Sequence, residues 1–460
     1  MTTLYRPELL YSAGSFQSNC GLLVDDDGKV QAVCPKLSEL DAHIVDLPGK
    51  ALLPGFVNAH SHAFQRLIRG KSESRNIGGI DFWSWRRTMY HAAAHLSPED
   101  VYDVSRMAFL EMLASGITSV GEFHYLHRAP DSSPYEDPNL LGKQVIAAAQ
   151  SVGIRIVLLR TAYLRAGYEL PPDPGQKRFY ESTREFLENM EALVAVFPSD
   201  SDHVRLGVAP HSVRAVPLGD LKQIVDWGRS RKLPLHMHLA EQIAENEACL
   251  REHGTTPVAL LMREGLLGAD VTAVHAIHVT QEEIDMLAEA GATICSCPTT
   301  ERNLGDGIVA AGRIMERGIS IALGSDSQAQ IDPLEDAREL DYHLRLQDQQ
   351  RAILDQIGGR GLAARLFDCA TVNGARALGL PAGEFVPGSH ADFFTVALDD
   401  LSIAGNSPED LLAILVFALN RTAIRDVAVA GNLVIRDRLH ASQGDIVSRY
   451  QSLNGKVWRS

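Results

Sequence analysis

The chain has 460 residues, 45% of them hydrophobic, and a formal net charge of −15 from 43 Lys and Arg against 58 Asp and Glu. A chain of that length and apolar content can bury a large core, while its acidic balance leaves no electrostatic footprint for nucleic acid. An anionic ligand would have to be held by a few local arginines, because the global field opposes it.

Residues 1–7 carry no basic-then-apolar signal segment. The longest clean apolar run, 411–419, is far short of the about 20 residues that span a bilayer. Six cysteines, at 20, 34, 249, 295, 297 and 369, form no CxxC pair and do not read as a disulfide framework. A reducing, cytoplasmic setting without membrane association is therefore expected.

In chain order, 21–24, the Asp25-Asp-Asp-Gly28 turn and 30–33 read as a hairpin. Eight short apolar segments follow, at 51–59, 119–125, 155–164, 204–210, 233–240, 271–278, 292–298 and 320–325. Their β-branched character suits strands buried on both faces. Helical patterns lie between most of them, for example at 98–115, 175–197, 220–231 and 281–290. Residues 391–397 and 427–435 read as strands again. Eight βα units imply an α/β fold closed as a (β/α)8 barrel. It is expected over 53–384, with a small β-sandwich domain formed by 1–52 and 385–460.

Active sites of such barrels lie at the C-terminal ends of the strands. Those ends carry His60-Ser-His62, Glu122-Phe-His124-Tyr125, His211 to Arg214, His236-Met-His238 with Glu241, His275 and Asp326. His60 and His62 are two apart, which on a strand puts both on one face. Neutral imidazole is the commonest metal ligand, so the pair reads as part of a metal site. Cys295 and Cys297 read instead as buried strand cysteines, and His124, His127 and His278 as structural or surface residues.

Leu53-Pro-Gly55, Asn58-Ala-His60-Ser-His62, His238-Leu-Ala-Glu241, Val274-His275, Gly324-Ser-Asp326 and Pro387-Gly-Ser-His-Ala-Asp392 occur in that order. Over nearly its whole length the chain thereby resembles the amidohydrolase superfamily. The resemblance implies that His60, His62, His238 and Asp326 hold one divalent ion, zinc first, with iron or manganese as alternatives. The fourth strand ends in Val208-Ala-Pro-His-Ser-Val-Arg214, without the lysine that bridges two metals in many relatives, which argues for a single ion. His236 competes with His238 as ligand, and the His-x-x-Glu spacing to Glu241 favours His238. A bound ion lowers the pKa of a water toward about 7. Asp326 and His275 would orient that water and take its proton, with Glu241 as the general acid and base.

Gln65, Arg86, Tyr125 and Arg214 sit just past predicted strands or in the first βα segment. Arginine suits bidentate carboxylate recognition, and two arginines suggest a small substrate with two carboxylates. Phe82-Trp-Ser-Trp85 reads equally as a pocket wall or as helix packing. The patterns His60-Ser-His-Ala-Phe-Gln-Arg66, Phe82-Trp-Ser-Trp-Arg86, Glu122-Phe-His-Tyr125, His211-Ser-Val-Arg214 and Asn303-Leu-Gly-Asp-Gly-Ile308 are similar to those of the formimidoylglutamate deiminase family. That resemblance implies hydrolysis of N-formimino-L-glutamate to N-formyl-L-glutamate and ammonia, by a zinc-dependent homodimer in histidine breakdown. It makes Gln65, Arg86, Tyr125 and Arg214 substrate contacts and puts His211 near the formimino group. Two departures lie beside the motifs: Thr300-Glu-Arg-Asn303 for Thr-Glu-Ala-Asn, and Ser327-Gln328 for Ser-His. The alternative is another deaminase of the superfamily, acting on a purine, pterin or triazine ring.

Overall fold

Both ends of the chain build one sheet. In the computed structural model, which describes residues 2–34, 41–73, 82–198, 201–356 and 358–459, Thr3–Ser12 and His43–Pro54 pair in parallel at its centre. Leu22–Val24 and Val30–Val33 extend it on one side, with Ser15–Ser18 paired to the first strand. Phe393–Ala397, Ile424–Val429 and Asn432–Ile435 extend it on the other. Tyr5, Leu10, Leu22, Leu52 and Phe393 belong to a core of its own. Cys20 and Cys34 form one disulfide, with Cα atoms 4.5 Å apart, a pairing the sequence reading did not anticipate. The hairpin brings them together, because the amide of Cys34 donates to Gly21 O at 2.8 Å. The other four cysteines are free and buried.

The barrel strands are Phe56–Ser61, Ile117–His124, Arg155–Ala162, Val204–Pro210, Leu235–Leu239, Val271–His275, Thr293–Ser296 and Ile321–Leu323. Each is hydrogen-bonded to the next, and a parallel bridge between Ser61 and Asp326 joins the last strand to the first. Arg205 is the one barrel-strand residue that is not buried, which is why these strands read as apolar runs rather than as alternating patterns.

Three expectations about elements change. The segment 51–59 is two strands: Ala51 to Pro54 finish the long strand of the terminal sheet, bonded to Phe393–Ala397, and the barrel begins at Phe56. The crossing is at Gly55, where a Cβ would lie 2.2 Å from the Thr118 hydroxyl, so no larger residue fits. The predicted helix 175–197 starts late, at Thr183, because Ser182 and Glu185 form a capping box. The C-terminal region contains two helices as well as strands, Pro408–Ala418 and Gln443–Trp458. The second lies against Pro98–Ala114, where Arg106 reaches Asp445 at 2.9 Å. It also braces the segment after the first barrel strand: Tyr450 Oη donates to Arg66 O at 3.0 Å and Trp458 Nε1 to Leu67 O at 3.1 Å.

A buried ion pair fastens the terminal sheet to the barrel. Arg155, which opens the third barrel strand, donates to both oxygens of Asp392 at 3.0 and 3.1 Å. Among the described residues no helix is long and apolar enough to cross a membrane.

Candidate active site

His60 lies on the first barrel strand and His62 just past it, His238 lies on the fifth strand, and Asp326 follows the eighth. The four are buried, and each offers a ligand atom within 4.8 Å of the others'. The Nε2 atoms of His60 and His62 face Asp326 Oδ1 at 3.4 and 3.3 Å. His62 Nδ1 donates to Phe123 O at 2.8 Å and His238 Nδ1 to His211 O at 3.1 Å. A carbonyl can only accept, so each fixes a tautomer that leaves the other ring nitrogen as a lone-pair donor. Neither ring nitrogen of His60 has a hydrogen-bond partner among the described residues. An orphaned imidazole at such depth is costly unless something binds it. Burial holds the His60 pKa down to about 3, and burial with the neighbouring His211 and His60 holds that of His238 well below the ordinary value. Both stay neutral, the form that ligates metal. The donor set therefore fits one divalent ion.

His236 is outside this group. Two residues earlier on the same strand, it points to the same face but one layer deeper, where Nε2 bonds to Ala377 O at 2.9 Å.

His275, at the end of the sixth strand, faces Glu241 Oε1 and Asp326 Oδ2, each at 3.9 Å from its Nε2. Its Nδ1 lies 3.2 Å from Glu301 Oε1. Burial opposes the charged ring, but Glu241, Glu301 and Asp326 together raise the His275 pKa well above its ordinary value. Burial raises that of Glu241. Ala240, His275 and Asp326 have left-handed backbones, at φ 53°, 73° and 45°. Non-glycine residues there are strained, and such strain collects at functional sites. His275, Cys297 and Glu301 also form a compact group. The Glu301 carboxylate, however, already accepts from Ser296 Oγ at 3.0 Å and the Cys297 amide at 2.8 Å. It acts as the holder of His275.

One cleft is lined by His62, Gln65, Trp85, Arg86, Tyr125, Tyr163, His211, Arg214, His238, Glu241, His275 and Asp326. Every residue expected at the site thus lines it except His60, which lies beneath. Gln65 Nε2 donates to Tyr125 Oη at 2.7 Å. Arg86 Nη2 donates to Tyr163 Oη at 3.0 Å, and Arg214 Nη1 donates to the same oxygen at 3.2 Å and to Ala166 O at 2.8 Å. Trp85 is a wall residue; the side chains of residues 82–84 lie outside the described residues. His124, His127 and His278 do not line the cleft, and the latter two bond to Thr161 O and Asp306 O.

Both motif departures point away from the cleft. Arg302 is exposed and pairs with Glu339 at 2.5 Å. Gln328 is fully buried beneath the site, donating to Ser61 Oγ at 2.8 Å and accepting from Ser325 Oγ at 3.0 Å. Glu122 fastens the same loop, accepting from Ser61 Oγ at 2.6 Å and the Ala63 amide at 2.7 Å. Sequence reasoning missed Tyr163, Glu301 and the part played by Glu122. Signals existed for two of them: Tyr163 follows its strand as Tyr125 follows the one before, and Glu301 sits inside a motif already singled out.

An eight-stranded barrel, a sheet from both termini and a buried three-histidine, one-aspartate group define a class of metal-dependent hydrolase. The sequence model of the amidohydrolase family matches residues 51–434, and the chain belongs to that family. Formimidoylglutamate deiminase of Pseudomonas aeruginosa is 34% identical over 444 residues, 96% of each chain. The crystal structure of an amidohydrolase from Brucella melitensis superposes with a TM-score of 0.90 at 30% identity, over 99% of both chains. An adenosine deaminase from Xanthomonas campestris, solved with bound zinc, shares the fold with a TM-score of 0.83 at 23% identity, over 100% of this chain and 99% of that one.

Proposed function

We propose that the protein hydrolyses N-formimino-L-glutamate to N-formyl-L-glutamate and ammonia, acting on the carbon–nitrogen bond of a linear amidine. The observation that carries this reading is the sharing of one cleft by the histidine–aspartate group and by Gln65, Arg86, Tyr125 and Arg214. The two guanidiniums suit a substrate with two carboxylates. They would disfavour neutral rings, whose binding would leave buried charge unpaired. The 34% identical relative carries the name of this activity.

On this reading His60, His62, His238 and Asp326 would hold one ion, zinc by the nature of the donors. When bound, the ion supplies Lewis acidity and brings the pKa of a water toward about 7. Asp326 and His275 would orient such a water, with Asp326 taking its proton and Glu301 holding the His275 ring at Nδ1. Glu241, whose burial favours the protonated carboxyl, hydrogen-bonds the formimino nitrogen and delivers the proton with which it departs as ammonia. His211 lies over the same end of the cleft, its ring 4.7 Å from that of His238. We extend the reading to a cytoplasmic homodimer working in histidine breakdown.

The test is ammonia release by zinc-loaded protein from N-formimino-L-glutamate, N-formimino-L-aspartate, guanine and adenosine. Rapid release from formiminoglutamate is expected. Release from a ring substrate alone would retain a hydrolytic deaminase but overturn the two-carboxylate reading.

A further inference from the structure

We infer that Tyr163 is a positioning residue that spaces Arg86 and Arg214 for the two carboxylates of the substrate. The inference rests on the proposed function and goes beyond it, because it assigns the spacing of the clamp to a residue outside the ligand, acid–base and substrate-contact sets.

Three separate elements meet at the Tyr163 hydroxyl. Tyr163 follows the third barrel strand, Arg86 comes from the helix Phe82–Ala94, and Arg214 comes from the loop after the fourth strand. Two like-charged guanidiniums in one cleft repel each other, so a fixed separation between them is favoured by a group that holds both. A phenol oxygen has two lone pairs, and here one guanidinium approaches at 3.0 Å and the other at 3.2 Å. The oxygen is itself held. The Tyr163 ring packs against His211, with centroids 4.5 Å apart, and against Phe179 at 5.7 Å. Gln176 Nε2 approaches the hydroxyl at 2.9 Å and also bonds to Tyr90 Oη at 2.7 Å. Gln176 is buried and also accepts from Tyr180 Oη at 2.5 Å, so it is a fixed neighbour of the hydroxyl.

A guanidinium has five N–H donors, and each arginine gives Tyr163 only one hydrogen bond. A carboxylate in its place would fix the arginines equally well but would cancel the charge that recognises the substrate. A phenol fixes them and leaves the charge in place.

The experiment compares the zinc-loaded wild type with Tyr163→Phe, which keeps the ring and removes the oxygen, and with Arg214→Met and the double variant. Steady-state kinetics with N-formimino-L-glutamate are paired with calorimetric binding of glutarate, a dicarboxylate that cannot react. Tyr163→Phe is expected to raise KM about tenfold, the worth of one charge-assisted hydrogen bond. It should weaken glutarate binding by a similar factor, with the loss falling on KM rather than on kcat. Added to Arg214→Met, the same change should cost clearly less than the roughly tenfold it costs alone, because one of the two arginines through which it acts is already gone. KM and glutarate affinity within twofold of the wild type would overturn the role of Tyr163 alone. So would a loss confined to kcat, which would put the residue among the reacting groups, or full additivity in the double variant. A wild type that neither releases ammonia from formiminoglutamate nor binds glutarate would overturn the proposed function, and the clamp with it.

Discussion

Two arginines on neighbouring parts of the barrel, one buried and one half-buried at the cleft, are treated in opposite ways. Arg160, on the third strand, donates to both oxygens of Glu181 at 2.6 and 2.8 Å and through Nε to Asn139 at 2.9 Å. Glu181 accepts a further bond from Asn189 at 2.7 Å. Although burial works against its charge, His127 and Arg160 hold Glu181 down to about 2. Arg214, after the fourth strand, makes its hydrogen bonds among the described residues to neutral oxygens, those of Tyr163 and Ala166. The first arrangement is complete and belongs to the architecture. The second has no carboxylate among its hydrogen-bond partners, as the proposed role in holding a carboxylate requires. A buried cation matched by a carboxylate speaks of stability, and one held by neutral acceptors inside a cleft speaks of an anion to be bound.

The largest effect is expected where the cleft does chemistry. Glu241→Gln should lower kcat by about 10²–10⁴-fold while glutarate still binds and the metal content is unchanged; a variant with normal turnover would remove Glu241 from its role. Next, Arg160→Met leaves the Glu181 carboxylate buried without its main partner. Urea unfolding should show a loss of about 3–5 kcal/mol, with KM in the surviving folded protein near the wild-type value. Arg214→Met should do the reverse, raising KM about 10–100-fold, the range for charged hydrogen bonds, while the unfolding midpoint stays or rises. Equal destabilisation by the two variants would erase the contrast. The smallest effect is in the pH dependence of stability, and its sign differs between the regions. Glu181 is held below its usual 4.5, at about 2, so its contribution is present above 4.5 and fades as pH falls toward 2. Glu245, buried on the helix Ile243–His253 after the fifth strand, is raised by burial to about 7, so its contribution is present below 4.5 and fades as pH rises through 7. Relative to the wild type, Glu181→Gln should flatten the acid limb of the stability curve and Glu245→Gln the neutral limb. Parallel slopes in the two variants would contradict these assignments.

What the sequence discloses and what it withholds follow a physical line. Alternation along a strand is local, so His60, His62 and the strand-end position of Asp326 could be read directly, and with them the barrel and its active face. Roles set by partners far along the chain could not. Tyr163 matters because residues 86 and 214 reach its hydroxyl, and Glu301 because His275 reaches its carboxylate. Segment 51–59 reads as one strand because both halves are apolar and buried; the division at Gly55 depends on the approach of Thr118. The helix Pro408–Ala418 carries an N-terminal signature in Ser407, Pro408, Glu409 and Asp410, but its short apolar stretch looks the same as a buried strand. The Cys20–Cys34 pair needed the hairpin register, which spacing alone does not fix.

The first and last barrel strands meet at the histidine–aspartate group itself. The amide of Asp326 donates to His60 O, and that of His62 to Asp326 O, both at 3.0 Å. Ring closure and completion of the ligand set are therefore one event, and it waits for nearly three quarters of the chain. During synthesis, a ribosome-bound fragment carrying His60, His62 and even His238 has no fourth donor and no closed wall around the other three. Because a preformed metal site rarely exists before folding, the half-made chain would offer a divalent ion only an incomplete set of donors. An ion held by these four residues would meet a finished barrel, and its binding energy would be added to a fold that topology has already assembled by slow, long-range pairing.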